Sequence, residues 1–385
     1  MTTLAELCEL ITDCEHKTAP IQDEGYPSIR TPNIGRGRFL LDGVNRVSEA
    51  TYQAWTKRAI PAAGDLILAR EAPVGNVAVI PKGELFCLGQ RTVLIRPKAN
   101  VVDSDYLCYL LLTPNLQAQL LGKSGGATVH HINMKDIRAL DMPEMPAINV
   151  QRRVATAIKN YDDLIATNQR RIALLEQTAR LLYREWFAHL RFSGHESVTV
   201  SDGVPEGWSP IPLGSIATLN YGKALKAGDR KDGDVPVYGS SGIVGAHNQA
   251  LVPAGAIVVG RKGNVGSLYL SQVPCYPIDT VFYIAPEQVS LWLFLALHQL
   301  NFISSDAAVP GLNRNYAHAL PLLLPTDAVR DSFQQIVAPM YEEINLLFKQ
   351  NEHTARARDL LLPKLMSGQL DVSQIPLPEA EEVIT

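Results

Sequence analysis

GDLILAREAPVGN runs from Gly64 to Asn76, and GAIVVGRKGNVGS runs from Gly255 to Ser267. Each opens on glycine, carries an aliphatic run of strand length, turns at an arginine and closes on Val-Gly before a small polar residue. Aligned, they pair Arg70 with Arg261 and Gly75 with Gly266 at an offset of 191. A duplication on that scale decides the fold, because every other segment must then be read as belonging to one of two copies.

The pairing extends in both directions. Upstream, LAELCEL at Leu4 matches LGSIATL at Leu213, and Pro27 in GYPSIRTPNIG matches Pro236 in DVPVYGSSGIVG, both at 209. Downstream, Cys87 matches Cys275 at 188, each soon followed by Thr-Val, and Asn133 matches Asn313 at 180. Val150, Ile158 and Ile165 match Val329, Val337 and Ile344 at 179. The offset only falls, as it does when one copy has lost loop residues and kept its element order. Apolar pattern and glycines are shared far more than polar loop residues are.

Each copy has a β-rich part and a helical part. Short runs bounded by Pro, Gly and Asn (DLILA, VAVI, TVLIRP, AIVVG, TVFYIAP) read as strands, and Ser104 to Leu121 and Ser290 to Ile303 read as helices of a compact α+β domain. In the helical part, Val154, Ile158, Tyr161, Ile165, Asn168, Ile172, Leu175, Ala179, Leu182 and Trp186 step by four and three without a break. Phe333, Val337, Met340, Ile344, Leu347, Asn351, Thr354, Arg358, Leu361 and Leu365 do the same. A 3.5-residue seam of this length belongs to a helix that packs along another helix. At 1.5 Å per residue it spans roughly 48 Å, which makes it a spacer. Asn168, Asn351 and Arg358 interrupt the seam, either to fix register or to face water where the helices diverge.

The expected organisation is a first β-rich domain over 1–146, a spacer helix over 147–190 and a linker over 191–206. A second β-rich domain over 207–325, a second spacer helix over 326–372 and a tail over 373–385 follow. The ends of the two helices, LLYREWF from Leu181 and LLLPKLM from Leu360, are expected to place Leu182 and Trp186 against Leu361 and Leu365.

Composition limits the function. The chain has 385 residues, 46% hydrophobic and 19% charged, with a formal net charge of −4. That describes a globular protein of two domains, and the acidic balance argues against a general DNA coat while leaving room for basic residues gathered on one face. No apolar run reaches the roughly 18 residues of a membrane span. The acids in MTTLAELCELITDCEH do not suit a secretory signal, so a cytoplasmic protein is expected. Cys8, Cys14, Cys87, Cys108 and Cys275 form no CxxC pair and read as buried free thiols.

The sequence has no GxxxxGK phosphate loop and no HExxH. GRGRF around Gly37 and GRKGNVG around Gly260 lack the spacing of a dinucleotide site, and His130-His131 has no carboxylate or cysteine at helical spacing to complete a metal site. Asp162-Asp163 and Glu342-Glu343 point about 100° apart within each pair on a helix and suit solvated faces or partner contacts. The loops carry the chemistry. The first copy offers Arg30, Asn33, Arg36 and Arg38, then Arg70 and Asn76, then Lys123, Ser124, His130 and Asn133. The second offers Tyr221, Lys223, Tyr238, Ser240 and Ser241, then Arg261, Lys262 and Asn264, then Asn313, Arg314 and Asn315. Arginine and asparagine make bidentate contacts with guanine and adenine edges, and lysine among small glycines suits phosphate. Because the two sets differ, two different sequences are expected to be read.

The central YDDLIATNQRRIALLEQTARLLYREWF, the linker VPEGW and the terminal RARDLLLPKLMSGQL resemble the specificity subunits of type I restriction-modification systems. DCEHKT, with Lys17, and the loops YGSSGIVG, GRKGNVG and GLNRN also resemble that family's recognition domains. The resemblance implies two tandem target-recognition domains that each read one half of a bipartite, asymmetric DNA site. It further implies an antiparallel coiled coil of the two spacer helices that sets the unread gap, giving the α+β chain an internal pseudo-twofold axis. The helices would dock two modification subunits, adenine methyltransferases that carry the S-adenosylmethionine, and restriction subunits with ATP-dependent nuclease activity can join them. This chain would hold no cofactor or metal and perform no catalysis. Two other readings remain open: a helical scaffold that reads no DNA, and the recognition module of a fused restriction and methylation enzyme. The start at Met1 directly before LAELCEL is expected to disfavour the second.

Overall fold

The computed structural model describes residues 2–124, 131–302 and 311–375. The chain divides into two compact units, one of Met1–Thr167 with Gln350–Thr385 and the other of Asn168–Lys349.

In the first unit, strand Leu66–Ala69 is buried along its whole length. A strand covered on both faces reads as a continuous apolar run, which is why LILA shows no alternation. Its neighbours pair antiparallel in the order Cys8–Asp13, Thr92–Pro97, Leu66–Ala69, Val77–Val79. Alternate residues then serve two cores. Leu66 and Leu68 pack with Tyr106, Leu107 and Leu111 from a helix on one face, while Ile67 and Ala69 pack with Ile29, Phe86 and Leu88 on the other. That second face is covered by a three-stranded sheet of Arg46–Val47, Tyr26–Ile29 and Cys87–Leu88, whose last pair runs parallel.

The second unit repeats this plan. Asn220–Tyr221, Val281–Ile284, Ala256–Gly260 and Leu268–Ser271 form the antiparallel four-stranded sheet in the same order. Ile257 and Val259 face Trp292 and Leu293, and Ala256 and Val258 face Tyr238, Val252 and Cys275. Gly242–His247, Val235–Gly239 and Tyr276–Pro277 form the three-stranded sheet, again with one parallel pair. A smaller antiparallel pair recurs too, Thr2–Thr3 with Asp141–Met142 and Ser209–Pro212 with Pro321–Leu324.

Register refines the alignment. Ser28 lies opposite Cys87 and Val237 opposite Tyr276, so the counterpart of Cys87 is Tyr276, one residue beyond Cys275. Two helix expectations also change. Ser104 to Leu121 is two helices, Ser104–Leu111 and Pro114–Gly122, because Pro114 has no amide hydrogen to continue the first and is suited to begin the second. The helix expected to run from Ser290 to Ile303 covers Leu291–Leu297. After it, Gln299 and Leu300 bond three residues back, to Ala296 and Leu297, and close the last turn; Ile303 lies outside the described residues.

The long helices are Ile148–Tyr183, continued by a π-helical turn over Arg184–Ala188, and Asp327–Met366. They pair antiparallel as a coiled coil, and each unit shows the direction by itself. In the first, Asp162 bonds Arg358 and the Ile165 carbonyl accepts from Asn351. In the second, Arg171 pairs with Glu343 and Trp186 lies 5.6 Å from Phe333 between ring centres. Partner numbers fall on one helix as they rise on the other. Leu182 and Trp186 therefore do not meet Leu361 and Leu365: the former belong to the second unit's core and the latter to the first's. The π turn changes which residues face inward at this end. It widens the helix so that Tyr183, Trp186 and Phe187 are all buried and cluster with Phe333, Trp208 and Trp292. Ile158, Ile165, Ile172, Val337, Ile344, Leu347 and Leu365 are buried, while Leu175, Leu182, Met340 and Leu361 are half-buried.

Candidate nucleic-acid interface

Arg70 and Arg261 leave the central strands through the same backbone bonds. Arg70 N donates to Arg91 O and Arg261 N to Thr280 O; Ile132 N donates to Arg70 O and Leu312 N to Arg261 O. Each loop returns through a glycine of positive φ, Gly75 at 93° and Gly266 at 79°, whose amides bond Ala69 O and Gly260 O. These main-chain bonds recur around both arginines.

Their side chains meet opposite chemistry. Arg70 is buried, donates from Nε to Ile132 O at 3.1 Å, lies 3.0 Å from His131 Nε2 and sits 3.8 Å from Asp13 Oδ2. Asp13 also pairs with Arg58, and Glu71 pairs with Arg91 at 2.8 Å. In the second unit, Tyr221 lies opposite Phe282 as Asp13 lies opposite Val93, so an aromatic ring stands where the carboxylate stood. The Arg261 guanidinium is 5.0 Å from the Tyr221 ring centre and 5.5 Å from that of Phe282, and Arg314 is 5.1 Å from Tyr221. Lys262 replaces Glu71: the two residues make equivalent bridges, to Gly311 and His131. Among the described residues no carboxylate pairs with Arg261, Lys262 or Arg314. Among the described residues, the cations of this sheet end pair with carboxylates in one unit and not in the other.

The remaining predicted residues separate by what already engages them. In the second unit, Ser240 and Ser241 form the turn between strands Val235–Gly239 and Gly242–His247, and Ser240 O accepts from Ser267 Oγ at 2.6 Å, which ties that turn to the Arg261 loop. Lys223 and Asn264 are exposed nearby in sequence to these elements, whereas Tyr238 is buried beside Tyr269. Asn313 caps the helix Arg314–Ala319 by accepting from Asn315 N at 2.8 Å and Tyr316 N at 3.1 Å. Burial and neighbouring Arg314 lower the pKa of His318, keeping the ring neutral so that its Nε2 accepts from Leu219 N at 2.9 Å.

In the first unit, Asn33 folds back on Arg30 N and Leu40 O, Asn76 donates to Ile34 O, Lys123 to Ala139 O and Ser124 to Leu121 O. Asn133 is the N-cap residue of Met134–Arg138. Lys17, Arg30, Arg36 and Arg38 are exposed, with one Arg36 nitrogen donating to Leu112 O at 3.0 Å. His130 lies outside the described residues. Asp13, Arg58, Glu71, Arg91 and Phe282 escape sequence reasoning because each matters only through a residue brought to it by strand pairing.

The family model described as "Type I restriction modification DNA specificity domain" matches residues 1–177 and 205–327, one match on each copy. The chain belongs to that family. As a type I specificity protein it is similar to the MjaIX specificity subunit of Methanocaldococcus jannaschii, with 23% identity covering 88% of this chain and 84% of the relative. It is likewise similar to the HindI specificity subunit of Haemophilus influenzae, with 21% identity over 90% and 95%. The crystal structure of a type I restriction-modification S subunit from M. genitalium shares the fold, with a TM-score of 0.58 at 18% identity over 94% and 95% of the two chains. No helix among the described residues is long and apolar enough to cross a membrane, and the five cysteines are free and buried.

Proposed function

We propose that this type I specificity subunit reads the second half of its bipartite DNA site with Arg261, Lys262, Asn264 and Arg314, supported by Lys223 and Ser241. It reads the first half with Lys17, Arg30, Arg36 and Arg38. The observation that carries this reading is the sheet end of the second unit, where Arg261 and Arg314 lie over Tyr221, Lys262 follows Arg261 in the chain, and among the described residues none of the three pairs with a carboxylate. Such a cluster suits phosphate oxygens and the acceptor edge of guanine. Arg70, engaged by Asp13 and Ile132, serves the fold of the first unit.

The spacer helices set the unread gap and dock two adenine-methylating subunits, which bring S-adenosylmethionine and the chemistry; ATP-dependent restriction subunits join that core, and the assembly works in the cytoplasm. This chain supplies selection alone. Methylation-sensitive sequencing of DNA from a host expressing it with its neighbouring methylase tests the reading. A methylated bipartite motif that vanishes when this chain is deleted is expected, and unchanged methylation overturns it. Arg261→Ala combined with Asn313→Ala should abolish recognition of one half, whereas unchanged sequence-specific binding would favour a scaffold. A heptad inserted into both helices should widen the gap by a few base pairs, about 10 Å of added helix at 1.5 Å per residue.

A further inference from the structure

Asp162 joins three elements of the first unit. Its Oδ1 accepts from Arg358 Nη1 at 2.5 Å, from the opposite spacer helix, and its Oδ2 accepts from Tyr109 Oη at 2.8 Å, from the recognition domain. Tyr109 is 6% exposed, and the Asp162 and Arg358 side chains 19% and 25%. The hydroxyl keeps its proton, since burial and then the Asp162 charge raise its pKa. Both carboxylate oxygens are therefore committed, one to each neighbour.

The loop carrying Arg36 and Arg38 rests on this junction. Gly37, at φ 83°, is placed so that a Cβ would stand 3.5 Å from both Asp162 Oδ2 and the Tyr109 ring. Its amide bonds Val77 O at 2.9 Å, and Arg36 bonds Leu112 O, just beyond the helix that bears Tyr109. The other copy lacks the device: at the offset of 179, the positions of Asp162 and Arg358 fall on Tyr341 and Ala179, both buried. Charge-assisted hydrogen bonds are directional and shorter than neutral ones, whereas apolar contact tolerates sliding.

We infer that Asp162 is a positioning residue for recognition of the first half-site, holding the Arg36–Arg38 loop in register with the spacer helices. The inference rests on the reading of the two domains as half-site readers. It is tested by methylation-sensitive sequencing with the full chain and its methylase, comparing wild type, Asp162→Asn and Tyr109→Phe. The wild type must first yield a bipartite motif; if it does not, the underlying reading has failed, independently of Asp162. The half weakened by Arg261→Ala belongs to the second domain, which identifies the other half as the first domain's. Asp162→Asn should raise methylation of sites mismatched in the first half about 10-fold relative to matched sites, an effect within reach of small misplacements of a working group. Tyr109→Phe, which leaves the Asp162–Arg358 pair in place, should do so to a lesser degree. Sites mismatched in the second half should stay at background. Equal loss at both halves in step with a lower melting temperature would overturn the proposal in favour of a merely structural role. Unaltered discrimination in both variants would overturn it as well.

Discussion

Arg70 and Arg261 occupy one place in a duplicated backbone and live in opposite electrical surroundings. Asp13, 3.8 Å away, with the Ile132 carbonyl and His131 hold the first, while the Tyr221 face 5.0 Å away and the Asp279 carbonyl, which accepts from its Nη1 at 3.1 Å, hold the second with no carboxylate partner among the described residues. A ring stabilises a nearby guanidinium by about 0.5–1 kcal/mol at exposed sites without neutralising it. Keeping the strand, the arginine and the glycine return while changing what stands across from the arginine gives one copy an acidic partner there and the other an aromatic one.

The largest expected effect tests whether the two units fail separately. Trp186→Ala empties the aromatic cluster around Phe187 and Phe333 and should cost about 3–5 kcal/mol. Hydrogen exchange should report the loss in the second unit, and matching loss in the first would show the comparison to be one of a single cooperative body. Next, Arg70→Ala should destabilise the first unit by about 2 kcal/mol, below the ~3–5 for a buried pair left with a lone charge, since Asp13 keeps Arg58. A calorimetric scan of Arg261→Ala should show a smaller loss, about 0.5–1 kcal/mol, the worth of its aromatic contact; equal losses for the two arginines would break the contrast. In binding, the order reverses: Arg261→Ala should weaken the assembled complex on its own site by about 1–3 kcal/mol. The smallest and most pointed change is Tyr221→Asp, which gives the second unit the first unit's carboxylate. It should neutralise Arg261 and lower the slope of log affinity against log salt by about 1, and an unaltered slope would deny Arg261 a place on the DNA.

Much of the frame was legible because it is written in apolar periodicity. LILA and AIVVG announced central strands, and the 3.5-residue steps from Val154 and Phe333 announced paired helices. The sense of that pairing was implied by family likeness, and the π turn at Arg184–Ala188 lies beyond any heptad count. Roles in the loops were less legible. Arg70 and Arg261 look alike in sequence, and only strand pairing brings Asp13 to one and Tyr221 to the other. Asn313 and Ser124 read as exposed polar groups, yet cap or close turns with their own neighbours. Asp162 read as half of a solvated acidic pair because its partner Arg358 stands 196 residues away.

That separation bears on how the molecule is made. The first unit needs Leu362, Leu365 and Val372 to complete a core begun by Leu4, Val154 and Ile158, and those residues leave the ribosome only after all of Asn168–Lys349. Closing contacts across so long a stretch is slow compared with local folding. During synthesis the second unit can therefore finish first, while the first waits with an open apolar flank, a window in which chaperones or an early-arriving partner would have something to hold.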